Sequence, residues 1–138
     1  MLCLMQLRRT LLACIAISFA TSDLVHKSIA TAEFHHARTP LVALMMFALI
    51  AALVVFVPRV PSNAAAIGAG IACGGALGNL ISLFAWAQGV PDPLIVTSGV
   101  HAVAFNLADL FALAGDALLL SAIAVYGLRN RGRLAEPV

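Results

Sequence analysis

The chain has 138 residues, 62% apolar and 10% charged, with a mean hydropathy of +1.03. A soluble domain carries roughly 25% charged residues, so this composition cannot cover a water-facing globule and specifies an integral membrane protein. The net charge of +2 is too small and too scattered for a nucleic-acid partner, and the three cysteines show no CxxC spacing that would suggest a disulfide framework or a metal site. Cys14 and Cys73 fall in apolar stretches and read as small buried residues.

Four apolar runs follow in order, at residues 10–29, 41–57, 64–87 and 102–128. Each is close to the ~20 residues a helix needs to cross a bilayer, which predicts an all-α protein with four transmembrane helices in one membrane domain. The first run also has the outline of a signal peptide, with Arg8-Arg9 before an apolar stretch. Its removal would leave three spans and a basic C-terminus outside, so it is read as a span. With four spans and the N-terminus in the cytoplasm, the inner side holds Arg8, Arg9, Arg59, Arg129, Arg131 and Arg133, and the outer side only Lys27 and Arg38. The positive-inside rule therefore predicts both termini in the cytoplasm and the segments 33–40 and 88–101 outside.

Carboxylates inside such spans are costly and mark functional sites by default. In Phe105-Asn106-Leu107-Ala108-Asp109, Asp109 is predicted ~9 Å below the outer end of the fourth span, at 1.5 Å rise per residue. By the same measure Asn79 lies ~24 Å and Asp23 ~20 Å up from the inner side of a core ~30 Å thick. All three fall near one level towards the outer leaflet. Gly70, Gly74 and Gly78 recur at every fourth position of the third run, a small-residue face for close helix packing. Asn79 at its end reads either as interhelical glue or as part of a site. Asp116, seven residues after Asp109, lies ~10 Å along the axis, too far to share a proton. Asp92, between Pro91 and Pro93, reads either as a turn residue or as a partner for Asp109. Two carboxylates at a membrane boundary can hydrolyse an amide. The ionised one deprotonates water and the protonated one donates to the scissile carbonyl.

Gly74-Gly75-Ala76-Leu77-Gly78-Asn79 and Phe105-Asn106-Leu107-Ala108-Asp109, with their separation, resemble two motifs of the type II signal peptidases, the lipoprotein signal peptidases of bacteria. Asp23 and Lys27, four residues apart, are similar to an Asp-x-x-x-Lys pattern in that family's first span. The resemblance implies an aspartic endopeptidase that removes the signal peptide of diacylglyceryl-modified prolipoproteins before the lipidated cysteine. It implies Asp92 and Asp109 as the catalytic pair and Asp23, Lys27, Asn79 and Asn106 as supporting or substrate-binding residues. No cofactor and no metal are implied. The partners would be prolipoproteins and membrane lipids, and the place a monomer spanning the bacterial cytoplasmic membrane. Where the family has Asp-Arg after its Gly-Asn, this chain has Ser82-Leu83, and the family's motif before the second span is absent. The segment between spans one and two is short, which predicts that the family's small extramembrane sheet is missing.

Two other functions fit the same residues. One is a non-catalytic relative that binds lipoproteins or lipid; the other is a small proton-coupled carrier relaying through Asp109 and Asp116. Glu33, His35 and His36 read as solvated interfacial groups, and His101 and Trp86 as markers of span ends. Arg129, Arg131 and Arg133 read as anchors at anionic headgroups. Asp116 is expected to be protonated or hydrogen-bonded to a neighbouring helix.

Overall fold

The computed structural model describes residues 2–134 and, for side chains, residues 2–132. The anchoring expected of Arg133 concerns a side chain outside the described residues. The order is α1 (Leu2–Ile29), β1 (Phe34–His36), α2 (Pro40–Phe56), a short 3-10 turn (Val57–Arg59), α3 (Asn63–Ala85), β2 (Val90–Asp92), β3 (Leu94–Ser98), β4 (His101–Phe105) and α4 (Leu107–Leu134). Among the described residues, four helices are long and apolar enough to cross a membrane.

The helix starts are chemically explicit. Thr39 precedes Pro40 at the first turn of α2 and its hydroxyl accepts from the Val42 amide at 3.4 Å, while Ser62 accepts from Ala65 at 3.2 Å at the head of α3. At α4 the capping is reciprocal. Asn106 Oδ1 accepts from the Asp109 amide at 3.1 Å, and Asp109 Oδ2 accepts from the Asn106 amide at 3.2 Å. This cap starts the helix at Leu107, five residues later than the apolar run at 102. The intervening residues form β4, an apolar strand that hydropathy alone does not separate from a helix.

α3 is the axis of the bundle and the most buried of the four helices. Its small residues line two faces. A Cβ on Gly74 would stand 2.6 Å from Phe19 Cβ on α1, and one on Gly75 would stand 2.3 Å from the Ala108 carbonyl on α4. The small-residue face thus lets both neighbours approach to backbone distance. Gly75→Ala is expected to force α3 and α4 apart and to cost ~1–3 kcal/mol as an overpacked contact. Unfolding of the purified protein in detergent would measure it. Cys73 is buried here as expected, whereas Cys14 is exposed on α1. α2 contributes no buried residue and leaves Leu41, Leu44, Met45 and Phe47 exposed, as suits a helix that faces lipid.

Two small sheets cap one end of the bundle. β1 and β2 pair antiparallel, with Phe34 opposite Asp92 and His36 opposite Val90, and β3 and β4 form a hairpin from Leu94–Phe105 to Ser98–His101. The expectation of no extramembrane sheet is therefore wrong. Three residues of the short α1–α2 connection suffice, because the partner strand comes from the α3–α4 connection. Gly89, at φ +106°, makes the turn into β2, and a Cβ there would lie 2.7 Å from the His36 carbonyl, so glycine permits both the turn and the strand contact. His101 sits in the hairpin rather than at a span end, while Trp86 caps the end of α3.

Candidate active site

The polar residues of α1, α3 and α4 meet beneath the two sheets. Lys27 is buried and donates to Asp23 Oδ2 at 2.7 Å, Asn79 Oδ1 at 2.8 Å and Ser82 Oγ at 3.2 Å. An ammonium has three donors and no acceptor, so this set satisfies it completely. Asp23 uses its other oxygen to accept from the Ala108 amide at 2.9 Å, tying α1 to the first turn of α4. A Cβ on Gly78 would lie 2.6 Å from Asp23 Oδ2, so the end of the small-residue face also makes room for this carboxylate.

Asn79 links that cluster to Asp109. Because Lys27 only donates, the amide oxygen of Asn79 must face it. The amide nitrogen then points to Asp109 Oδ1, which it reaches at 2.9 Å. Asn106 is oriented by the same logic. Its oxygen is occupied by the Asp109 amide, and its Nδ2 donates to Asp92 Oδ1 at 2.5 Å and to the Pro91 carbonyl at 3.4 Å. Asn106 therefore touches both carboxylates. Asp92 is fully buried in β2, whereas the Asp109 side chain is 38% exposed.

All six residues singled out in the sequence, Asp23, Lys27, Asn79, Asp92, Asn106 and Asp109, lie on this one chain of hydrogen bonds. Asn79 bridges α1 and α4, as its reading as interhelical glue expects, and the same amide reaches the Asp109 carboxylate. Asp116 is exposed on α4 outside the network. The hydrogen bond expected of it to a neighbouring helix does not form among the described residues. A helical spacing of seven keeps it near the face of Asp109, but past the point where α4 meets polar partners.

Three residues went unrecognised in the sequence: Ser82, read only as a departure from the family pattern and here a buried acceptor for Lys27, and two on the connection between α1 and α2. His36, read as a solvated interfacial group, is hydrogen-bonded through Nδ1 to Asp92 Oδ2. Arg38, counted only as an outer charge, places Nη2 3.6 Å from Asp109 Oδ1. Both lie on the connection that starts with β1, and only the β1–β2 register brings them over the carboxylates. The one available signal was that the His35-His36 doublet and Asp92 fall in the two segments predicted to lie on the same side of the membrane. Beside His36 a cleft lined by Phe34, His35, Ala102 and Ala104 runs between β1 and β4.

Four membrane-length helices around a buried polar cluster, with two carboxylates sharing an asparagine at one end, make up a multi-pass membrane protein. The sequence profile of the family described as Signal peptidase (SPase) II matches residues 5–125. The chain belongs to that family, membrane proteases that process lipoproteins. No curated protein matches it.

Proposed function

We propose that the protein is an intramembrane aspartic endopeptidase that cleaves diacylglyceryl-modified prolipoproteins before the lipidated cysteine, with Asp92 and Asp109 as the catalytic pair. The observation that carries this reading is Asn106, whose side chain and amide hold one carboxylate each. Two carboxylates held at one end by a single asparagine can divide the roles of acid and base. Asp109, the more exposed, faces the incoming water and peptide. The ionised partner removes a proton from water, the protonated one donates to the scissile carbonyl, and the tetrahedral intermediate then collapses with protonation of the leaving amine. Asp23, Lys27 and Asn79 hold Asp109 in place through the helix interior. The four helices act as a single membrane domain and as a monomer in the bacterial cytoplasmic membrane. Both termini lie inside, and the two sheets face out towards the lipid headgroups.

The test is cleavage of a diacylglyceryl-modified prolipoprotein by the purified protein, together with rescue of a strain depleted of its own lipoprotein signal peptidase. Rescue and cleavage are expected. The second reading, a non-catalytic protein that binds lipoproteins, draws on the closed state of Asp92, whose two oxygens are both occupied. Binding without cleavage by a well-expressed protein would select it.

A further inference from the structure

We propose that His36 is the route by which Asp92 exchanges its proton with water; this rests on the peptidase reading above. Asp92 is fully buried, and its two oxygens are taken by Asn106 Nδ2 and His36 Nδ1. A carboxamide does not titrate, so among the described contacts of Asp92 only the imidazole can carry a proton. The His36 side chain is 61% exposed, so one ring spans from a sealed carboxylate to the surface. Asp109 has its own opening to solvent, but a bound peptide covers it, and the path through His36 then remains.

The transfer balances over the ring. Nε2 takes a proton from water or buffer, the imidazolium releases the Nδ1 proton to Asp92 Oδ2, and neutral imidazole with the proton on Nε2 is left. The reverse sequence unloads Asp92. The other charged groups nearby are placed elsewhere: Arg38 stands at Asp109, and Lys27 is saturated by Asp23, Asn79 and Ser82. His36 reaches Asp92 because the β1–β2 pairing sets it opposite Val90, two residues along the strand from the aspartate and on the same face.

His36→Gln keeps a hydrogen-bonding side chain that cannot titrate. Its kcat on a diacylglyceryl-modified prolipoprotein is expected to fall roughly 10²-fold, the lower end of general acid–base effects, with KM little changed. His36→Ala should fall similarly and recover when imidazole is added, but not with sodium chloride at the same ionic strength; Asp92→Asn should show no such recovery. Wild-type kcat in His36→Gln, or a slow His36→Ala that imidazole fails to restore, overturns the route and leaves the aspartate pair standing. Absence of cleavage by the wild-type protein overturns the peptidase reading and the route with it.

Discussion

Asp109→Asn and Asp92→Asn are each expected to lower prolipoprotein cleavage roughly 10²–10⁴-fold, the range for losing a positioned acid or base. Both replacements keep the size and most hydrogen bonds of the original. Asparagine at 109 still offers an oxygen to the Asn106 amide, and at 92 it still meets Asn106 and His36. The folded protein should therefore insert and purify as the wild type does, and the loss should appear in kcat. Asp116→Asn is the internal control. Exposed on α4 and outside the network, it should leave cleavage unchanged, whereas a proton carrier relaying through Asp109 and Asp116 would need both. Full processing by either the 92 or the 109 variant would remove the pair from consideration.

The second large effect is on the fold. Lys27→Met should destabilise the protein by ~3–5 kcal/mol, the usual cost of leaving a buried partner charge uncompensated. Asp23 and Lys27 have fully buried side chains at 2.7 Å, and removing the ammonium strands Asp23 while freeing Asn79 Oδ1 and Ser82 Oγ. Asn79 would then lose the contact that fixes its amide, and its grip on Asp109 would loosen. Unfolding in detergent, with cleavage measured in parallel, should show both losses. Adding Asp23→Asn to Lys27→Met should recover part of the stability, because the stranded charge is gone. Equal stability of Lys27→Met and wild type would show that the cluster is not structural.

The site was legible in the sequence to the extent that it sits on helices. Asp23, Asn79 and Asp109 could be set at one level because a helix converts sequence distance into height at a constant rise. The structure joins them through Lys27 and Ala108. Asp109 stands in the first turn of α4 rather than about six residues in, yet it meets Asn79 all the same. The hairpin occupies the residues assigned to the missing turns. Asp92 was reachable only as one of two readings, since two prolines describe a stiff segment and not its direction. His36 and Arg38 were not legible as site residues, and the first small sheet was expected to be absent.

The membrane class, the helices, the tight α3 packing and the common level of Asp23, Asn79 and Asp109 could thus be read from the sequence. These follow from composition, apolar length and helical period, all of which are local. The tertiary structure decided which loop residues close over the carboxylates. A strand register is set by pairing with a distant segment and leaves no trace in the spacing of either one. The three-residue match of Phe34–His36 with Val90–Asp92 seals Asp92, sets His36 against it and carries Arg38 to Asp109.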